Sequence, residues 1–307
     1  MKNSIIESCV EKLRKKKNIT LLPGKTDLLI PEKYPWKKDT FPVYLKDSTE
    51  VSDTCYNSGG RSVIKLFPDY TVKAKAIGAF ENEPPFDILA SYDGNVLIVY
   101  GLPVKPRPYG FTTRDDAKRE ATNAQRLAEY KFSDFFTPQL IGTSCRDAVY
   151  RQAGKFKGKN IEISATVLSE ESDLRVDEVI QSDDHSFNFS HKTYIEWVGN
   201  SIGRALRELH NCGISLWTNN PHLGNFLISE TRIGICDLGS IDWEPTKIRK
   251  ERELDGLLED AVILEKFLEK PIIEGYAGNH FDIENNHKKE YLQLLVKRMD
   301  QSQVIYP

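Results

Sequence analysis

Leu209-His210-Asn211-Cys212-Gly213-Ile214, Asn219-Asn220-Pro221-His222-Leu223-Gly224-Asn225-Phe226-Leu227-Ile228 and Ile235-Cys236-Asp237-Leu238-Gly239-Ser240 form one ordered stretch, and its reading decides the fold. Ahead of it, Ile195, Val198, Ile202, Ala205 and Leu209 recur at helical spacing and predict a long helix over about His191–His210 that ends at a glycine. A loop then places Asn225 directly before the apolar strand Phe226–Ile228. A tight turn leads into a second strand, Ile233–Cys236, which ends in Asp-Leu-Gly. A hairpin of this kind presents Asn225 and Asp237 side by side at one end. Mg²⁺ takes oxygen ligands from one or two carboxylates or amides, completed by phosphate and water. The chemistry that wants this layout is therefore nucleoside-triphosphate handling. Asn and Asp are also common in plain hairpin turns, and that plainer reading stands beside the first.

The string Leu-His…Gly-Ile…His222-x-x-Asn225…Asp237-Leu-Gly resembles the protein-kinase-like superfamily, including its small-molecule kinases. The resemblance implies a fold, an α+β two-lobed protein-kinase-like architecture with a β-rich N-lobe and a mostly helical C-lobe. It implies ATP and Mg²⁺ as cofactors, with Asn225 and Asp237 as metal ligands. In that family a catalytic-loop aspartate takes the proton of the accepting hydroxyl. It should lie five residues before Asn225, where this chain has Asn220. Trp217, Thr218 and Asn219, the neighbouring occupants, are not carboxylates either. His222 is the nearest titratable side chain to that position.

The residues from Val51 to Tyr100 have a β texture. Ser58-Gly59-Gly60 reads as a turn, followed by a strand at Val63–Phe67 and another at Thr71–Ala76. Asp93-Gly94-Asn95 is a strong hairpin signal between a strand near Phe86–Ala90 and the apolar run Val96–Tyr100. The resemblance implies a Gly-rich turn over the phosphates and a third-strand lysine paired with a helix glutamate. Two registers compete. In the first, Gly59 and Gly60 cradle phosphate, Lys73 is the strand lysine and Glu120 its helix partner. In the second, Ile77–Phe80 is the turn and Val96–Tyr100 the third strand, which puts Val99 where lysine belongs. The first keeps turn, strand, tight turn and lysine in order, with residues 77–110 as an inserted hairpin. Thr113 and Asp116 open a helix over about Thr113–Tyr130, with Ala117, Ala121, Ala124 and Ala128 as a small-residue stripe. Leu140–Gly142 and Ile161–Leu168 read as strands, and the polar, acidic residues 169–190 as a loop or loose helix. Leu257, Leu258, Ala261, Leu264 and Leu268 mark a helical C-terminal region. The order predicts an arm at 1–50, a β-rich nucleotide lobe at 51–168 and a helical lobe at 169–307.

Composition narrows the partners. With a net charge of −3 the chain offers no strong global field for nucleic acid or an anionic membrane. The basic run Arg14-Lys15-Lys16-Lys17 reads as the solvated face of a short amphipathic helix over 3–17, carrying Ile5, Ile6, Val10 and Leu13. Prolines 23, 31, 35 and 42 make 18–50 an extended arm. Five scattered cysteines lack metal or redox spacing and read as reduced thiols of a cytoplasmic protein. No apolar run suggests a signal peptide or a membrane span.

Three functions follow as expectations. The first is a pseudokinase-like domain that binds ATP–Mg with weak or absent phosphotransfer, because an amide at Asn220 cannot accept a proton as a general base. The second is an active atypical phosphotransferase on a protein or small-molecule hydroxyl, with His222 as base. The third is a binding or scaffolding protein, with a protein partner and no nucleotide site.

Overall fold

The structure, a computed structural model, describes residues 55–58, 62–66, 71–75, 89–93, 96–100, 112–150, 160–172, 174–181, 189–216, 221–264 and 267–291. The expected helix at 3–17, the arm at 18–50, Gly59, Gly60, the turn at 77–80 and the loop residues 217–220, including Asn220, lie outside the described residues. The chain is a mixture of α and β, and its described residues divide into two compact units. One falls within Arg14–Gln125 and Gln139–Glu170, the other within Arg126–Pro138 and Glu171–Pro307.

The first unit is built on a seven-stranded sheet of order β1-β2-β3-β8-β7-β5-β4. Its strands are β1 (Cys55–Ser58), β2 (Ser62–Leu66), β3 (Thr71–Lys75), β4 (Leu89–Asp93), β5 (Val96–Tyr100), β7 (Gln139–Tyr150) and β8 (Asn160–Glu170). β1, β2 and β3 follow one another as antiparallel neighbours, with Ser58 opposite Ser62 and Leu66 opposite Thr71. β4 and β5 form the expected antiparallel hairpin, with Asp93 opposite Val96, and its first strand is Leu89–Asp93 where the sequence suggests Phe86–Ala90. β5 then lies parallel to β7, so it joins the far edge of the sheet and does not extend the β1–β3 meander.

Helix α1 (Arg114–Leu127) begins where the sequence places it. The Thr113 Oγ1 accepts a hydrogen bond from the Asp116 N–H at 3.1 Å, satisfying one of the first-turn donors. Ala117, Ala121 and Ala124 are buried, so the small-residue stripe lies inward; Ala128 is exposed, because the helix has already ended. Small side chains let α1 approach β8, where the Thr166 hydroxyl donates to the Ala117 carbonyl at 3.5 Å.

In the second unit, α3 (Phe189–Asn211) is the central helix. Ile195, Val198, Ile202, Ala205 and Leu209 are all buried, as their spacing requires. The helix ends at Gly213, whose φ of +73° lies in the left-handed region that glycine enters without penalty. Next come β9 (Ile214–Ser215), β10 (Phe226–Ile228), β11 (Ile233–Ile235), β12 (Asp242–Trp243), α4 (Lys247–Leu264) and α5 (Glu269–Ala277). β10 and β11 form the expected antiparallel hairpin, and β11 also pairs in parallel with β6 (Phe135–Phe136). Gly234 makes room for that pairing, since a Cβ there would overlap the Phe136 ring. Residues 285–291 add a final helix that docks on α3, where Tyr291 stacks on Tyr194 at 4.4 Å and Lys288 lies 4.9 Å from the Trp197 ring.

One expectation needs correction. The sequence suggests a loop or loose helix over 169–190, and a short helix, α2 (Val176–Gln181), does lie there, but β8 continues through Glu170 before it. Leu174, Val176, Val179 and Ile180 are buried, and their helical spacing outweighs the acidic character of the segment.

Helices α3 and α5 meet across two glycines. A Cβ on Gly203 would lie 2.7 Å from the Tyr276 nitrogen and closer still to the Ile272 carbonyl, and one on Gly275 would overlap the Asn200 carbonyl. Both obstacles are backbone atoms, which cannot turn aside. Gly203→Ala should therefore cost about 1–3 kcal/mol or more by overpacking, read as a lower midpoint in urea unfolding. An unchanged midpoint would show that the two helices slide apart freely.

Candidate functional site

The β10–β11 hairpin places Phe226 opposite Ile235, which sets Asn225 beside Cys236 at the hairpin's end. The Cys236 N–H donates to the Asn225 carbonyl at 2.8 Å, and Asp237 is the next residue. Asn225 closes a 3₁₀ turn, Leu223–Asn225, and is 2% exposed. Asp237 is exposed, with φ 59° and ψ 63°. A left-handed aspartate is one of the few non-glycine residues that tolerates this backbone, and such outliers cluster at functional sites. This conformation ends the strand abruptly, and the chain turns into a second 3₁₀ turn, Leu238–Ser240. His222 is half-buried at the start of the first turn, where its carbonyl accepts from the Asn225 N–H at 3.1 Å.

A buried polar network joins α3, β9, α4 and α5. Glu253, on α4, is fully buried. Its Oε1 accepts from the Leu216 N–H at 2.8 Å, and its Oε2 accepts from the Ser215 hydroxyl and meets His210 Nε2 at 3.0 Å. His210 Nδ1 lies 2.7 Å from the Tyr276 hydroxyl. With the ring proton on Nε2, His210 donates to Glu253 and accepts from Tyr276, so every member is satisfied. Burial, then the Glu253 carboxylate, then Glu251 push the Tyr276 hydroxyl above its ordinary value, which keeps it a donor. The His of Leu209-His210 is therefore a structural joint, tying the end of α3 to α4 and α5.

In the first unit, Lys73 is 1% exposed and Glu120 is 7% exposed. Lys73 and Lys75 alternate onto one face of β3, across from Leu168 and Thr166 of β8. Glu120 of α1 forms an ion pair with Lys75. The sequence reading put Lys73 in that role, two residues earlier on the same face. The Lys75 and Glu120 side chains are only 18% and 10% exposed, so their attraction is screened far less than that of surface pairs such as Lys247–Glu251, at 89% and 56%.

Sequence reasoning missed Lys75, Glu253, Asp260 and Arg175. Two of these carried a signal. Glu253 stands four residues before Leu257 and eight before Ala261, a charge at the head of an apolar stripe and in register with it. Lys75 repeats the facing of Lys73 one strand period on. Arg175 and Asp260 act on backbone groups, which no local pattern announces.

Among the described residues no group of three or more His, Cys, Asp and Glu side chains is placed to hold a metal. A pair made of one amide and one carboxylate, with phosphate and water completing the shell, falls outside such a grouping. Among them, too, Cys212 is a free thiol, the Cys236 thiol donates to the Gly224 carbonyl at 3.8 Å, and no helix is long and apolar enough to cross a membrane. No protein-family model matches the chain, and no curated protein matches it.

Two outcomes are expected. Glu253→Ala leaves the Leu216 N–H, the Ser215 hydroxyl and His210 without their acceptor and should cost about 3–5 kcal/mol in chemical denaturation, whereas Glu253→Gln, which keeps an acceptor, should cost less. Equal losses would mean that the carboxylate acts only by filling space. Because the folded state raises the Tyr276 pKa, its contribution is whole below the unfolded tyrosine value of about 10 and is lost as pH rises through the folded value. Melting temperature should fall as pH rises from about 10 towards the folded value, and Tyr276→Phe should flatten the fall. An identical slope in the variant would remove Tyr276 from the explanation.

Proposed function

We propose that this chain is a protein-kinase-like, nucleotide-binding protein whose two units correspond to the β-rich and helical lobes of that fold, and that it binds ATP–Mg with weak or absent phosphotransfer. The observation that carries this reading is the end of the β10–β11 hairpin, where the buried Asn225 and the left-handed, exposed Asp237 stand just beyond the paired ends of the two strands. An amide oxygen and a carboxylate are the hard donors that Mg²⁺ takes when phosphate and water supply the rest. Asn225 and Asp237 would hold the ion, which would neutralise charge on the phosphate oxygens.

The first unit supports the same reading. β1, β2 and β3 form a meander with the Gly59-Gly60 segment between its first two strands, which is the order the first register requires. β3 sends two lysines to one face, and Lys75 is paired with the α1 glutamate. In this reading Lys73 meets the phosphates and the Lys75–Glu120 pair fixes α1 against the sheet. Asn220 stands where a base is needed. An amide there leaves positioning and electrostatics but no proton acceptor, so transfer is slow. A nucleotide is the expected ligand, a protein partner fits a domain that binds without turning over, and the compartment proposed is the cytoplasm.

ATP–Mg at about 100 times its dissociation constant should stabilise the native protein by roughly 2.7 kcal/mol. Asp237→Ala should abolish the Mg²⁺-dependent part of the thermal shift. An unchanged shift in that variant would remove Asp237 from the site, and no shift in the native protein would favour a binding protein without a nucleotide site. Asn220→Asp should raise ATP turnover, since general-base catalysis contributes about 10²–10⁴-fold. Native turnover that is already brisk and falls in His222→Ala would replace the pseudokinase reading with that of an active, atypical phosphotransferase.

A further inference from the structure

The 3₁₀ turn that carries Asn225 is held from two helical segments by its own peptide groups. Asp260, two turns along α4 from Glu253, accepts the Leu223 N–H through Oδ2 at 2.6 Å. From the residue before α2, the Arg175 guanidinium donates to the Gly224 carbonyl, while the Arg175 backbone bridges to Leu227. Between these two anchors the chain is pressed close. A Cβ on Gly256 of α4 would overlap the Pro221 ring, and one on Gly224 would lie 2.5 Å from the Asp177 Oδ2. The third peptide of the turn is held by the hairpin itself, through the Cys236 N–H. Three of the four peptide units between His222 and Phe226 thus bond to a carboxylate, a guanidinium and the chain leaving β11.

We infer that Asp260 and Arg175 are positioning residues that fix the Leu223–Asn225 turn, and through it set the Asn225 amide for a divalent cation. Charged partners suit this task, because a charge-assisted bond to a peptide group is about twice as strong as a neutral one. They also pull in opposite directions along the chain, one on an N–H and one on a carbonyl, so the turn can neither rotate nor slide without losing a bond. The consequence for cation binding rests on the nucleotide reading above; the clamp on the turn does not, and the two are separable by experiment.

The test uses the full chain and three variants. Asp260→Ala removes the acceptor, Asp260→Asn keeps an oxygen acceptor without the charge, and Arg175→Met approaches the turn from the other side should Asp260→Ala fail to fold. Amide exchange at Leu223 and Asn225 should accelerate at least about tenfold in Asp260→Ala and in Arg175→Met, and much less in Asp260→Asn, while exchange in the middle of α3 is unchanged. In parallel, the Mg²⁺ concentration that half-saturates ATP binding should rise about tenfold or more in Asp260→Ala, with Mg²⁺-free ATP binding unaltered. Exchange that stays native at the turn, or that rises uniformly through the helical unit, overturns the clamp. A localised exchange response with native Mg²⁺ dependence overturns the positioning of Asn225. A localised response in a protein that shows no Mg²⁺-dependent ATP binding leaves the clamp standing and removes the nucleotide reading instead.

Discussion

The carboxylate of Glu253 has no access to solvent, and the helical unit is organised around that constraint. A buried charge is tolerable only when donors surround it, since an uncompensated one costs several kcal/mol. Here the donors come from three places in the chain: His210 at the end of α3, Ser215 on β9 and the Leu216 peptide. Meeting this single demand fixes where α3 stops, where β9 starts and how α4 crosses beneath both. Tyr276 extends the network to α5, and Lys250 closes it by donating to the His210 carbonyl. The loop leading to the hairpin therefore departs from a point determined by α4.

The same helix receives the chain again further along. Gly256 admits Pro221, and Asp260 takes the Leu223 N–H. One face of α4 thus serves as a template for both ends of the segment that precedes Asn225, with polar anchors spaced two turns apart and a glycine between them. The hairpin then carries the chain from Asn225 out and back to Asp237, where a left-handed aspartate releases it. Rigid support under an exposed carboxylate is the arrangement a binding site requires, because the ordering cost is met in folding and not at the moment of binding.

Much of this was legible in the sequence because it is periodic or local. The α3 stripe, the Thr113 cap, the Asp93–Val96 hairpin and the β10–β11 turn each follow from spacing or from one residue's backbone preference. The placement of Asn225 and Asp237 at one hairpin end followed from the same logic. Other features were not legible for physical reasons. The choice of Lys75 over Lys73 for Glu120 depends on how far α1 is shifted along the sheet, and both lysines satisfy the same alternation. The bonds from Asp260 and Arg175 end on peptide groups, which are identical at every position. The buried segment after Glu170 was masked by its charges, although Leu174, Val176, Val179 and Ile180 carried a helical pattern within it.

The central claim is that Asn225 and Asp237 share a cation with a nucleotide, and a paramagnetic ion reads this most directly. Mn²⁺ added with a non-hydrolysable ATP analogue to the isotopically labelled protein should broaden the amide signals of Asn225, Phe226, Asp237 and Leu238 first, and Asp237→Ala should abolish that selectivity. Broadening that begins elsewhere, or that is the same with and without the nucleotide, would contradict the account.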